Sequence, residues 1–160
     1  MTPAIITIQS LELKIPPPVV ALLAALGMWG VSRYTPTGEV QDFVRHALAI
    51  ALAAIGAAFD VAGLVAFRRA RTTVNPMKPR SASALVDSGV YRVTRNPMYV
   101  GLVCFLCAWA AYLWSPWALL GPVAFIAYIG RFQIAPEERA LSALFGAEYS
   151  AYMASVRRWL

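Results

Sequence analysis

The sequence has little charge and few of the side chains that usually carry metal or redox chemistry. Charged residues make up 14% of its 160 residues, and it contains two cysteines and one histidine. A soluble domain usually has about 25% charged residues, so the composition argues against one. Cys104 and Cys107 form a C-x-x-C pair inside an apolar run, but no second pair or nearby histidine accompanies them. We interpret both as small packing residues and expect no metal site.

Apolar residues are abundant instead and are gathered in long runs. They make up 59% of the chain, against about 45–50% in a soluble domain. The four runs are residues 19–31, 43–67, 98–114 and 117–129. A helix of about 20 apolar residues spans a bilayer, and the short Ser115-Pro116 turn makes the last two runs antiparallel neighbours. The runs therefore predict about four transmembrane helices.

The two ends of the chain have different patterns. From Pro136 onward, apolar residues recur at helical spacing on one face, which predicts an amphipathic helix that begins at Pro136 and is too polar to span. Residues 1–14 lack a basic start and an A-x-A-like cleavage site, so we expect no signal peptide. The predicted fold class is all-α: one integral membrane domain over residues 1–160, a bundle of about four transmembrane helices plus a C-terminal amphipathic helix.

Positive charge is concentrated between the second and third apolar runs. Seven basic residues and one acidic residue lie from Arg68 to Arg95, so this segment alone carries a charge equal to the chain's net +6. Basic loops between apolar spans face the cytoplasm and attract anionic lipid. With four spans, both termini and any site beside this loop are predicted to be cytoplasmic. No nucleic-acid-binding motif accompanies the charge, so we expect membrane lipids as partners and no nucleic acid.

One acidic residue lies deep inside the second apolar run. Ionisable groups are rare in membrane spans and usually face a partner or a water-filled cavity. Asp60 is therefore either paired with another helix for structural reasons or part of a functional site, and the sequence favours neither interpretation.

A polar segment, residues 88–101, reads SGVYRVTRNPMYVG and comes immediately before the third run. Arg92 and Arg95 in it can clamp a carboxylate or phosphate, because a guanidinium group offers a rigid fork of donors. Glu137 and Glu138 follow the fourth run and can accept hydrogen bonds from an ammonium group or from ribose hydroxyls. If the third and fourth runs form a helical hairpin, the two clusters meet at one membrane face.

Aromatic side chains accompany both clusters. Tyr91, Tyr99 and Tyr149 have faces that attract cations, including a sulfonium. The combined set suits a zwitterionic ligand with a cationic centre. The alternative is that these charges only form interfacial ion pairs that anchor the bundle, and the residues alone leave both interpretations open.

Four segments, in order, resemble the isoprenylcysteine carboxyl methyltransferase family: TTVNPMKPR, SGVYRVTRNPMYVG, RFQIAPEERAL and LFGAEYSAYMASVRRW. That family and its phospholipid-methylating relatives are small integral membrane enzymes that use S-adenosylmethionine and release S-adenosylhomocysteine. The resemblance covers residues 72–160, which implies that this half binds the cofactor. The first two runs carry no recognised motif.

The resemblance implies roles for individual residues. The family's R-H-P-x-Y-x-G motif corresponds to Arg95, Asn96, Pro97, Tyr99 and Gly101. The whole set expected to bind the cofactor is these five with Tyr91, Glu137, Glu138, Tyr149 and Tyr152.

Two positions of the motif set bear on catalysis. Arg131 matches an arginine placed to meet the acceptor's carboxylate or head group, and with Glu137 and Glu138 it forms the expected catalytic set. Asn96 stands where the eukaryotic carboxyl methyltransferases have histidine. Because asparagine does not titrate near neutral pH, we expect it to hydrogen-bond the cofactor and to have no acid–base role.

These features predict S-adenosylmethionine-dependent methyl transfer to a membrane-embedded, lipid-like acceptor of the isoprenylcysteine carboxylate type. A phospholipid amine is the alternative acceptor. The alternative from another class is a non-catalytic membrane scaffold that binds anionic lipid. The expected partners are membrane lipids and an amphiphilic acceptor, and the oligomeric state stays open.

Overall fold

The structure is a computed structural model that describes residues 12–36, 38–72 and 77–160. All regular secondary structure in these ranges is helical, which confirms the all-α prediction. Residues 1–11, most of the segment in which no signal peptide is expected, lie outside the described residues. Residues 73–76, within the basic loop and the TTVNPMKPR segment, do so as well.

The described part of the chain contains five α-helices. They are α1 (Pro17–Ser32), α2 (Asp42–Ala70), α3 (Pro97–Leu113), α4 (Leu120–Ile129) and α5 (Ala135–Ser155). Proline is the first residue of both α1 and α3. A backbone N–H at this position has no partner within the helix, so proline costs no hydrogen bond there. Short 3₁₀ turns at Pro79–Ser81 and Gly89–Arg92 lie in the basic loop, and a third at Pro116–Leu119 leads into α4.

The last helical part of the chain starts earlier than the sequence predicts. A π-helical turn, Gly130–Ile134, joins α4 to α5 in one continuous run, so no separate helix begins at Pro136. Pro136 has no N–H to offer the carbonyl four residues earlier. The Leu13 amide donates to that carbonyl, of Phe132, at 3.0 Å instead. A wide turn and an outside donor therefore let the helix continue through proline.

Among the described residues, two helical segments are long and apolar enough to cross a membrane: the 29-residue α2 and the 40-residue run Pro116–Ser155. The apolar helices α1 and α3 are shorter, with 16 and 17 residues. Forty helical residues are about twice as many as a single span needs, and this run is broken at Gly146. Its first half, up to Ile134, is the apolar part, with Arg131 as the one charged residue, and Glu137, Glu138 and Arg139 follow it.

The outer faces of the helices are apolar. Leu22 on α1, Ile50 on α2 and Val123 on α4 are 60%, 69% and 62% exposed. An apolar surface of this kind is suited to lipid and is unusual for a soluble monomer.

Glycines let α2 and α3 pack closely. A Cβ atom at Gly56 would lie 2.9 Å from the Gly101 carbonyl oxygen, and one at Gly63 would lie 2.8 Å from Met98 Cγ. Small residues permit this close approach between membrane helices. The packing fixes the start of α3, and the polar segment before it, against the second half of α2.

Candidate active site

The helical hairpin of α3 and α4 brings the two polar clusters together, as its geometry predicts. Arg95 donates from Nη2 to Oε1 of Glu138 at 2.8 Å. The two side chains are 12% and 14% exposed, so this ion pair is largely removed from water. Charge-assisted hydrogen bonds of this kind are among the stronger polar contacts in proteins.

Arg95 also secures the end of α5. Its Nη1 atom donates to the carbonyl oxygens of Met153 at 2.9 Å and Val156 at 2.7 Å. Its backbone amide donates to the Arg157 carbonyl at 2.9 Å. The Nε atom is buried and has no partner among the described residues. Arg95 thus supports the fold and also lines the cavity described below.

The C-terminal tail, residues 156–160, crosses the start of α3. Asn96 donates from its side-chain amide to the Arg158 carbonyl at 2.9 Å, and the Thr94 hydroxyl donates to the same oxygen at 3.1 Å. The Arg158 side chain donates from Nε to Glu138 at 3.0 Å. Arg157 and Arg158 lie beyond the end of the last helix, which ends at Ser155.

Glu137 faces the interior beside Glu138. The Tyr99 hydroxyl donates to its Oε1 at 2.7 Å, and the Gln133 side-chain amide donates to the same oxygen at 2.5 Å. Burial raises the pKa of Glu137 from 4.5 to about 7, although the two hydrogen bonds act in the opposite direction. Glu137 can therefore take up or release a proton near neutral pH.

Tyr149 and Tyr152 are buried on the part of α5 that follows a break at Gly146. Gly146 has φ 52° and ψ −120°, a conformation that side-chain-bearing residues rarely adopt. The Tyr152 hydroxyl donates to the Tyr91 carbonyl at 2.7 Å. The break therefore turns the end of α5 back onto the polar segment.

A cavity of about 330 Å³ lies between these elements, a volume within the usual range of roughly 300–1,000 Å³ for ligand sites. Eight residues that the sequence assigns to the site line it: Tyr91, Arg95, Asn96, Tyr99, Glu137, Glu138, Tyr149 and Tyr152. Asp60 lines the same cavity.

Three residues of the expected set have other positions. Pro97 opens α3, and Gly101 packs against α2 beside Asp60. Arg131 is outside the described lining of the cavity. It donates to Glu12 at 2.7 Å, and this hydrogen bond holds the pKa of Glu12 below its usual range. Arg139 binds the other oxygen of Glu12.

Sequence reasoning missed several residues that organise the site. Gln133 precedes Glu137 by four residues, and residues at this spacing are neighbours on a helix. The spacing could therefore have predicted the contact between them. Thr94 is fully buried, and its hydroxyl donates to the backbone carbonyl of Arg158, 64 residues further along the chain. No local pattern in the sequence indicates that contact.

A family model and one further protein match parts of this chain. A family model described as phospholipid methyltransferase matches residues 44–148, about two thirds of the chain. An uncharacterized protein of Haemophilus influenzae is 48% identical over 63 residues, which are 39% of this chain and the full length of that protein. No solved structure matches the chain. The residues matched by the family model include both polar clusters and Asp60.

Proposed function

Because the chain belongs to the phospholipid methyltransferase family, we propose that it transfers a methyl group from S-adenosylmethionine to a lipid-like acceptor in the membrane. Membership confirms the resemblance seen in the sequence. It makes the protein a membrane methyltransferase whose substrate is lipid-like. The methyl donor, the acceptor's reactive group and the side of the membrane that holds the site are proposals.

The observation that carries the proposal is the cavity bounded by both polar clusters. Its lining residues include Arg95, two carboxylates and four tyrosines, and the buried Nε donor of Arg95 has no partner among the described residues. S-adenosylmethionine has a carboxylate and an ammonium group, ribose hydroxyls and a sulfonium, so this donor and acceptor set fits its polar groups. The residues that would hold it are Arg95, Asn96, Tyr99 and the two glutamates.

The cofactor, when bound, supplies a methyl group already activated by the sulfonium. The protein then mainly has to orient the acceptor and exclude water. The C-terminal tail holds Glu138 in place through Arg158, and the buried Tyr149 and Tyr152 line the site on the side of α5. A carboxylate acceptor needs no base, whereas an amine acceptor must lose a proton. Glu137, with its pKa near 7, can accept that proton.

The acceptor is expected to approach from the bilayer between the helices, while the cofactor arrives from the cytoplasm. An isoprenylcysteine-type carboxylate and a phospholipid amine both suit such a route. The resemblance to the carboxyl methyltransferases implies that Arg131 meets the acceptor, and this role stays a prediction. In the structure Arg131 pairs with Glu12 and is not part of the described lining of the cavity.

The charge distribution supports four spans with both termini and the site cytoplasmic. Single cysteines placed at each end in a background without Cys104 and Cys107 should resist a membrane-impermeant maleimide added to intact cells. Labelling of the C-terminus from outside would contradict this arrangement.

The competing function is a non-catalytic scaffold that binds anionic lipid through its basic loop. Methyl transfer separates the two. The purified chain, in nanodiscs containing an extract of membrane lipids, should move tritium from methyl-labelled S-adenosylmethionine into an organic-extractable product. A scaffold gives no such product, and its lipid binding survives replacement of the glutamates.

A further inference from the structure

A second groove lies beside the first part of α5, next to the cavity of the proposed cofactor site. Its volume is about 760 Å³, within the usual range of roughly 300–1,000 Å³ for ligand sites. None of its described lining residues belongs to the set expected to bind the cofactor, although Pro79 lines both spaces. The proposed methyl transfer therefore gives this groove no role.

Three positively charged side chains line the groove, which we call the basic groove. Lys78 and Arg80 come from the basic loop and Arg139 from α5, and all three are exposed. Glu12 is the one acidic residue in the described lining, and it pairs with Arg139 and with Arg131. The charge at the basic groove therefore stays positive after this acidic residue is counted.

Lys78 and Arg80 have no acidic partner in the described part of the chain. Residues 1–11, 37 and 73–76 contain no aspartate or glutamate, so they cannot supply an acidic side chain either. A cleft lined by charges of one sign concentrates ions of the opposite sign. The two free cations therefore indicate a ligand with negative charge.

The floor of the basic groove is apolar. Pro136 and Ala140 lie one helical turn apart on α5, are buried, and line the groove together with the 3₁₀ turn Pro79–Ser81. The apolar part of the helical run Pro116–Ser155 ends at Ile134, and Pro136 is about 3 Å further along the helix. Lipid head groups occupy about 5–7 Å on each side of the hydrocarbon core. The basic groove therefore combines cations with an apolar floor at the level of the head groups.

We propose that the basic groove binds the phosphate group of an anionic phospholipid, which is held there without being methylated. Arg80 and Arg139 offer guanidinium forks that match a phosphate, and Lys78 adds a third cation. The first carbons of the acyl chains lie on the apolar floor. The groove is on the side proposed to be cytoplasmic, where the leaflet carries a negative surface potential. The inference goes beyond the proposed function and does not depend on methyl transfer.

Short-chain lipids test the proposal on the full chain. The protein, purified in dodecyl maltoside, is titrated by calorimetry with dihexanoyl phosphatidylglycerol, dihexanoyl phosphatidylcholine or inorganic phosphate. The parent should bind phosphatidylglycerol at least tenfold more tightly than phosphatidylcholine, whose choline group cancels the charge of the phosphate. It should also prefer phosphatidylglycerol at least tenfold to inorganic phosphate, which has no apolar part for the floor. Lys78→Gln combined with Arg80→Gln should lower phosphatidylglycerol affinity about tenfold.

Arg68→Gln combined with Arg69→Gln is the matched control. Both arginines are exposed at the end of α2, in the same basic segment, and neither is in the described lining of the basic groove. The control removes the same amount of charge from the same side of the bundle, and its phosphatidylglycerol affinity should stay within twofold of the parent value. A monodisperse profile and a parent-like unfolding temperature show that each variant is folded. The single substitutions Lys78→Gln and Arg80→Gln, each expected to lower affinity about threefold, serve if the double variant is not monodisperse.

Three results would overturn the proposal. An equal loss of phosphatidylglycerol affinity in the two double variants would show that the attraction is a general effect of surface charge. Phosphatidylcholine binding as tight as that of phosphatidylglycerol would show that the groove does not select an anion. Inorganic phosphate binding as tight as that of phosphatidylglycerol would assign the groove to a soluble phosphate ligand. A loss confined to the Lys78 and Arg80 variants would support the lipid site.

Discussion

The substitution Glu138→Gln perturbs the centre of the proposed cofactor site. Glu138 accepts hydrogen bonds from Arg95 at 2.8 Å and from Arg158 at 3.0 Å, with 14% of its side chain exposed. Glutamine keeps the size of the side chain but removes its charge and one acceptor oxygen. Loss of a charge-assisted hydrogen bond costs about 1.5–3 kcal/mol, and about 1.4 kcal/mol corresponds to tenfold in affinity. We expect S-adenosylmethionine to bind roughly tenfold to a hundredfold more weakly to this variant.

The assay is isothermal titration calorimetry of the purified variant in dodecyl maltoside, with S-adenosylmethionine and S-adenosylhomocysteine as ligands. Glu148→Gln is the matched control, because Glu148 is an exposed glutamate on the same helix, and its affinities should equal those of the parent. Arg95→Ala is less informative, since Arg95 also secures the end of α5. Parent-like affinity in a monodisperse, folded Glu138→Gln protein would refute the assignment.

Three further predictions test other parts of the account. Arg131→Ala should slow methyl transfer while S-adenosylmethionine affinity, measured by calorimetry, stays within twofold, and a large loss of affinity would contradict the acceptor role. Gly101→Ala should lower the free energy of unfolding by about 1–3 kcal/mol through overpacking. Gly30→Ala, where a Cβ meets nothing within 4 Å, should change that energy by less than about 1 kcal/mol in the same detergent unfolding assay. Burial raises the pKa of Glu137 in the folded protein to about 7, so the parent's stability should fall as pH rises from about 4.5 to about 7. Glu137→Gln should remove part of this fall in the unfolding temperature, and an unchanged pH slope would argue against the raised pKa.

The convergence of the two polar clusters could be predicted because it depends on simple chain geometry. Arg95 and Glu138 are 43 residues apart, with two apolar runs and a tight turn between them. Antiparallel helices of similar length must return the chain to the side from which it left. Proline is the first residue of both α1 and α3, a position that it favours.

The C-terminal tail and the π-helical turn could not be predicted from local patterns. The contacts of Thr94 and Asn96 with the Arg158 carbonyl join distant segments through one backbone oxygen, which carries no sequence signal. From the sequence alone Pro136 is expected to begin a helix, because proline favours the first turn. The helix continues through it because the Phe132 carbonyl receives its hydrogen bond from the amide of Leu13, more than a hundred residues away in the chain. Both features depend on tertiary packing that residue spacing does not encode.

Photolabelling tests the central claim most directly, because it reports both binding and position. Tritiated S-adenosylmethionine is crosslinked to the purified parent chain by ultraviolet light, and the labelled peptides are mapped by mass spectrometry. The account predicts label in peptides from residues 88–101 or 136–158, abolished by excess S-adenosylhomocysteine and unaffected by excess ATP. Label that S-adenosylhomocysteine does not displace, or displaceable label confined to α1 and the first half of α2, would contradict it.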